Sequence, residues 1–322
     1  MMPRKKGRAI TMNYNVTEIS YPSADGVHTI YAEIYTPRSA TAKGVIQLAH
    51  GMIDYTARYT GLADYLTERG YILAGNHHLG HGKSVLSDDD FGYFADKGGL
   101  EYVLADMHTM NKKLRETFPA LPIVLFGHSM GSFLSRLYVA RHPHNVKAFI
   151  INGTGGKNPL VGMGMTVAKL VKALYGPRHR SGLINTLAFG SYNSKFPKEE
   201  GANAWLTRDV AAVAGRDSDR FTNFKFTVSG YIDLFTALRD CNSKKWYQEY
   251  PKELPTLIVS GDMDPVGDYG KGPSEVYKGL MLAGASNVTL KLYEGARHEL
   301  FNETCKEEYF ADLVEWLGRS VR

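Results

Sequence analysis

LPIVLFGHSMG (121–131) runs straight into SFLSRLYVARHP (132–143), so an apolar, β-branched run breaks at Gly127-His128-Ser129-Met130-Gly131 and then turns helical. A polar serine between a buried strand and a helix fits the G-x-S-x-G turn. There a strained backbone lifts the hydroxyl above a sheet, and glycines two residues to either side keep side chains from crowding the neighbouring strands. The helix behind Ser129 also offers free N–H groups and the positive end of its dipole to a developing oxyanion. The five-residue pattern is common in proteins, so its meaning depends on what the rest of the chain supplies.

Outward from this turn the chain alternates. KGVIQLAHG (43–51), GYILAGNHH (70–78), LPIVLFGH (121–128), VKAFIING (146–153) and LPTLIVSGD (254–262) are near-continuous apolar runs, as parallel strands buried on both faces require. Residues 56–69, 100–118 and 131–142 carry apolar residues at three- and four-residue spacing and are closed by Gly or Pro, which predicts helices. Strand, helix, strand, helix is the pattern of a doubly wound α/β sheet. TEISYPS (17–23) and TIYAEIYTP (29–37) flank Ala24-Asp25-Gly26 and predict a leading hairpin. At the other end, after VTLKLYEGARHE (288–299), Tyr309, Phe310, Leu313, Trp316 and Leu317 form one face of a closing helix. The alternation lapses once, between about 155 and 245, where several helical pieces but no buried strand are legible. The organisation expected is a basic tail (1–15), a core (16–154 and 246–322) and an inserted helical lid (155–245).

A serine hydroxyl is a weak nucleophile near neutral pH and requires a base, itself oriented by a carboxylate. In this architecture the chain order is serine, acid, histidine. Of eleven histidines, only His298 follows all the strands, and it is assigned as the base. The acid must come from GDMDPVGD (261–268), which offers Asp262, Asp264 and Asp268. Spacing does not choose among them; Asp264, in mid-loop before Pro265, is the first candidate and Asp262 the fallback. The oxyanion hole requires two amides. One is that of Met130; the other is assigned to Met52, in the loop after the third strand, where Gly51 permits the backbone to turn.

Composition bounds the remainder. With 322 residues, 43% hydrophobic and 22% charged, the chain can bury a large core. It has no apolar stretch near the ~20 residues that span a bilayer and no signal-peptide h-region behind its basic start, so the cytoplasm is the expected compartment. Cys241 and Cys305 are read as ordinary thiols. Part of the net charge of +5 lies in Pro3-Arg4-Lys5-Lys6-Gly7-Arg8, read as a solvated tail with no nucleic-acid role. His77, His78 and His81 crowd one Gly-rich loop, but the hydrolysis has a metal-free mechanism and neither metal nor cofactor is expected.

With these residues placed, the sequence resembles the α/β-hydrolase superfamily, and within it the monoacylglycerol lipase and lysophospholipase group, which is grouped with serine aminopeptidase-like hydrolases. The resemblance spans nearly the whole chain and is carried by HGMIDYTARY (50–59), NHHLGHGKS (76–84), FGHSMGS (126–132), GDMDPVGD (261–268) and YEGARHELFNE (293–303). It implies the nucleophile at Ser129, the acid at Asp264, the base at His298 and oxyanion amides at Met52 and Met130. It also implies that 155–245 is a lid over an acyl channel and that Asp54 and Arg58 help fix the oxyanion loop. The chain departs from the family in having Ile53 where a second Gly often stands, Asp54 for a Glu, and Asn76 or His77 for the Asp of the D-x-x-G-H-G turn. The expectation is a cofactor-free serine esterase acting on a small acyl ester of monoacylglycerol or lysophospholipid type, with transient membrane or micelle contact through the lid. An aminopeptidase or carbon–carbon hydrolase using the same triad, or a non-catalytic hydrolase-fold receptor, is the alternative.

Overall fold

The computed structural model describes residues 12–321. The strands are β1 (Tyr14–Pro22), β2 (Thr29–Pro37), β3 (Gly44–Ala49), β4 (Tyr71–Asn76), β5 (Ile123–His128), β6 (Ala148–Asn152), β7 (Thr256–Gly261) and β8 (Val288–Tyr293). They form one sheet in the order β1-β2-β4-β3-β5-β6-β7-β8. β1 and β2 make the antiparallel hairpin, and β2 also runs antiparallel to β4. All pairings from β4 to β8 are parallel, so their carboxyl ends share one edge, where such sheets build their sites.

The helices are α1 (Thr60–Glu68), α2 (Gly99–Thr117), α3 (Met130–Arg141), α4 (Val161–Tyr175), α5 (Gly182–Phe189), α6 (Val210–Asp217), α7 (Val228–Asp240), α8 (Lys244–Glu249), α9 (Lys271–Leu282) and α10 (Lys306–Ser320). Every residue of β3, β5, β6 and β7 is buried, because helices cover both faces. Ile46, Leu48, Val124 and Phe126 point to the side of α1 and α10. Val45, Ile123 and Leu125 alternate to the side of α2, α3, α7 and α9. The closing helix buries the five residues its periodicity singled out.

Two boundaries differ from the sequence reading. The leading strand begins at Tyr14, inside the stretch assigned to the basic tail. Tyr14 pairs with Pro37 and packs edge-on against Tyr35, with ring centroids 5.1 Å apart, so ring packing and ladder bonds extend the strand past its alternating segment. The basic cluster 3–8 lies outside the described residues. The predicted helix 56–69 is also divided, into a 3₁₀ turn (Thr56–Tyr59) and α1.

The stretch 155–245 is not of one kind. α7 packs on α2, α3 and α4, and Trp246 of α8 donates its indole N–H to the Arg136 carbonyl of α3 at 2.6 Å. α4 and α5 instead keep Met163, Leu170, Leu174, Leu183 and Leu187 more than half exposed. No helix among the described residues is long and apolar enough to cross a membrane.

Candidate active site

Ser129 stands between β5 and α3 with φ 52° and ψ −121°, a backbone that residues with a Cβ rarely adopt. The strain is held from both sides: the Ser129 N–H donates to the Asn152 carbonyl of β6 at 3.0 Å, and the Ser129 carbonyl accepts from Ser132 Oγ at 2.6 Å. Each flanking glycine is needed for its own reason. A Cβ on Gly131 would be driven into the Ala49 carbonyl at the end of β3. One on Gly127 would meet not a neighbouring strand but the helix behind it, 2.6 Å from Ser135 Oγ.

Asp264 and His298 meet at the same edge, with Asp264 Oδ2 2.9 Å from His298 Nδ1. Both are buried. Asp264 Oδ1 accepts the Val266 N–H at 2.9 Å, and Ser260 Oγ donates to Oδ2 at 3.2 Å. Asp262 is engaged elsewhere, accepting the Gly295 N–H at 2.7 Å, and Asp268 pairs with Lys271 at the surface. The ambiguity that spacing left among the three is thus one of side-chain direction.

His128, the second residue of the G-x-S-x-G turn, lies under the His298 ring with centroids 4.7 Å apart. Its Nδ1 accepts from Asn152 Nδ2 at 2.8 Å. Burial, joined by the neighbouring His298 charge, holds its pKa well below the usual imidazole range, so its ring is neutral.

The loop after β3 lies against the serine. A Cβ on Gly51 would sit 3.3 Å from Ser129 Cβ and 3.2 Å from the His128 ring. This close approach, rather than the turn itself, is what requires glycine there; the left-handed residue is Ile53, at φ 54°. Three of the loop's amides are engaged: Gly51 N–H with Asp54 Oδ2 at 3.4 Å, Ile53 N–H with His81 Nε2 at 3.3 Å, and Tyr55 N–H with Asp54 Oδ1 at 2.8 Å. No acceptor among the described residues takes the Met52 N–H. That of Met130, first in α3, has no preceding turn to accept it.

The crowded histidines turn out to support this loop. His50 Nδ1–H donates to the Gly51 carbonyl at 2.8 Å, its Nε2 accepts the His78 N–H at 2.9 Å, and His81 Nδ1–H donates to the Leu79 carbonyl at 3.1 Å. Burial and mutual repulsion push His78 down to about 3, and burial pushes His81 down to about 4, so both rings are neutral; the His50 and His81 rings act as hydrogen-bonding struts, while His78 contributes its backbone N–H. Among the described residues no group of three or more His, Cys, Asp or Glu side chains is arranged to hold a metal.

A buried ion cluster joins the loop to Glu299, the residue after His298. Arg58 Nη1 donates to Asp54 Oδ1 at 3.0 Å, and its Nη2 donates to Glu299 Oε2 at 2.7 Å; Tyr59 OH donates to Asp54 Oδ2 at 2.7 Å. Asp54 was legible only through the family resemblance, and Glu299 was not singled out. Burial alone would raise the Glu299 pKa, but the Arg58 charge and hydrogen bonds override it and hold it below the usual carboxylate range. Removing one partner of a buried pair is costly, and Glu299→Gln is expected to lower stability by about 3 kcal/mol. A depressed carboxylate contributes in full above the ordinary glutamate pKa, and the contribution fades as pH falls through the lower folded value. The gap in urea-unfolding free energy between wild type and Glu299→Gln should therefore be flat from about pH 8 to 5 and close on further acidification.

A serine on a strained strand-to-helix turn and a hydrogen-bonded aspartate–histidine pair at the carboxyl edge of a mostly parallel sheet define a serine hydrolase of the α/β-hydrolase class. Residues 40–305 match the model of the hydrolase family described as serine aminopeptidase, S33, and the chain belongs to that family. It is 25% identical to a monoacylglycerol lipase of Mycolicibacterium smegmatis, over 94% of this chain and 96% of that protein. It is 26% identical to the Homo sapiens monoglyceride lipase, over 92% and 89%. Among solved structures, a thermostable carboxyl esterase from Bacillus coagulans in complex with glycerol superposes with a TM-score of 0.89 at 28% identity, covering 95% of this chain and 99% of that one.

Proposed function

We propose that this enzyme hydrolyses carboxylic esters of monoacylglycerol or lysophospholipid type, with Ser129 as nucleophile, His298 as base and Asp264 as the acid that orients it. The observation that carries the reading is the 2.9 Å contact between His298 Nδ1 and Asp264, beside a serine held at φ 52°. Ser129 Oγ attacks the ester carbonyl while His298 Nε2 takes its proton, and the N–H groups of Met52 and Met130 receive the oxyanion. His298 returns the proton to the leaving alcohol. Water, deprotonated by His298, then attacks the acyl-serine and releases the carboxylic acid. Every step uses side chains and amides of this chain, and none calls for a cofactor.

The relatives named as monoacylglycerol and monoglyceride lipases support an acylglycerol substrate. A peptidase reading would require a free carboxylate to meet the substrate's amine. Glu200 pairs with Arg297, Asp209 caps α6, Asp217 accepts from Asn203 and Glu199 is exposed, so none of these four is set in the site as an amine-binding carboxylate, which favours an ester. We assign residues 155–245 as a lid, anchored by α7 and by the Trp246 contact just past its end, with α4 and α5 as its outer surface. The two free thiols suit the cytoplasm.

Fluorophosphonate labelling, with turnover of p-nitrophenyl butyrate, monoacylglycerols, lysophospholipids and aminoacyl p-nitroanilides, tests the assignment. Labelling with rapid monoacyl-ester turnover is the expected result. No label and no turnover would sink the mechanism, and preference for the anilides would sink the ester reading.

The exposed leucines of α4 and α5 fit transient contact with a lipid surface. Leu170→Ser combined with Leu174→Ser is expected to reduce turnover of micellar long-chain monoacylglycerol on the order of tenfold. Hydrolysis of a soluble short-chain ester should stay unchanged, and a comparable loss on both substrates would contradict the docking role.

A further inference from the structure

The His298 imidazole is enclosed on four sides. Asp264 holds Nδ1, and the neutral His128 ring lies against one face. At its edge stands Gly153, where a Cβ would come within 3.2 Å of both Nδ1 and Cε1. The fourth side is closed by Trp205, whose ring centroid lies 5.1 Å from that of His298 at a tilt of 37°. Trp205 comes from the inserted segment rather than from the sheet.

Trp205 is itself held firmly. Its N–H donates to Asn193 Oδ1 at 3.0 Å, and its ring receives Tyr192 nearly edge-on at 5.0 Å. Its carbonyl accepts the His298 N–H at 3.4 Å, and the next carbonyl, that of Leu206, accepts the Glu299 N–H at 2.7 Å. The preceding one, of Ala204, accepts from Arg297 Nη1 at 2.7 Å. Residues 204–206 are thus paired in succession with 297–299. A triad histidine must take a proton from serine and return it to the leaving alcohol without turning, yet its bond to Asp264 fixes only one corner of the ring.

We infer that Trp205 is a positioning residue for the reaction: packed against the His298 imidazole, which also contacts the His128 ring, it fixes the rotation that aims Nε2 at Ser129. The inference rests on the hydrolase reading of the site. The indole ring also lies next to the imidazolium that forms during acylation, and an aromatic neighbour at this range favours a cation.

Trp205→Leu and Trp205→Phe, assayed on p-nitrophenyl butyrate, test it. Small misplacements of a catalytic group are costly, so the leucine variant is expected to lose about ten- to hundredfold in kcat with KM nearly unchanged, and phenylalanine to restore most of the loss. Proton NMR should show the deshielded His298–Asp264 proton in wild type and the phenylalanine variant, and its broadening in the leucine variant. A second measurement requires no leucine variant. Protonated imidazole quenches a neighbouring indole, so wild-type tryptophan emission should fall with the same midpoint as the acid limb of kcat/KM, and Trp205→Phe should remove that change. A leucine variant with unaltered kcat, equal losses in both variants, a rise in KM alone, or emission that ignores the acid limb would each overturn the role. An inactive wild type would overturn the hydrolase reading instead.

Discussion

Ser129→Ala is expected to abolish fluorophosphonate labelling and to lower kcat by about a millionfold, the scale seen when a triad nucleophile is removed. What remains is binding and oxyanion stabilisation acting on water, so KM should move little. Turnover surviving in this variant would leave an enzyme but remove the mechanism. The same position yields a second, opposite effect. A non-glycine residue at φ 52° stores about 1–3 kcal/mol, and alanine, which keeps the Cβ, should not release it. Ser129→Gly should be as inactive as Ser129→Ala yet more stable, by about 1 kcal/mol after glycine's greater freedom in the unfolded chain is counted. Urea unfolding of the two variants reads that difference directly, and a less stable glycine variant would show that the elbow is not strained.

The strands around this turn were legible because burial on both faces leaves almost no polar positions, and the five apolar runs map onto β3 to β7 with only their ends trimmed. The strained elbow at Ser129 was legible for a related reason, since its glycines interrupt an otherwise apolar run. Other parts depend on distant partners. Tyr14 belongs to β1 through Tyr35, which lies beyond any local pattern. The helices between 155 and 245 take different roles because α7 finds α2 and α3, whereas α4 and α5 keep an exposed face; helical periodicity reads alike in all of them. Glu299 and Trp205 act through residues more than ninety positions away, Arg58 and His298, so spacing gave no signal for either. Ile53 shows the limit of motif reading. The family's second glycine is missing, yet the backbone still takes the left-handed turn that glycine would favour, with the Ile53 N–H bound to His81.

Asp264→Asn is expected to lower kcat by about ten-thousandfold with little change in fold. The reason lies in the donors around the carboxylate. Oδ1 accepts the Val266 N–H at 2.9 Å, a donor that an asparagine can satisfy only with its carbonyl oxygen. Its NH₂ group is then turned toward His298 Nδ1, where Oδ2 stood. That nitrogen must now accept rather than donate, so the imidazole proton moves to Nε2, and the atom that should take the serine's proton already carries one. Asp262→Asn is the control with the opposite expectation: Oδ1 of Asp262 accepts from Gly295, and an asparagine oxygen can do the same, so kcat should stay within about twofold of wild type. Equal losses in the two variants would mean that the loop 261–268 matters as a whole and that Asp264 has no special part. A loss confined to Asp264→Asn assigns the acid by the tautomer it enforces.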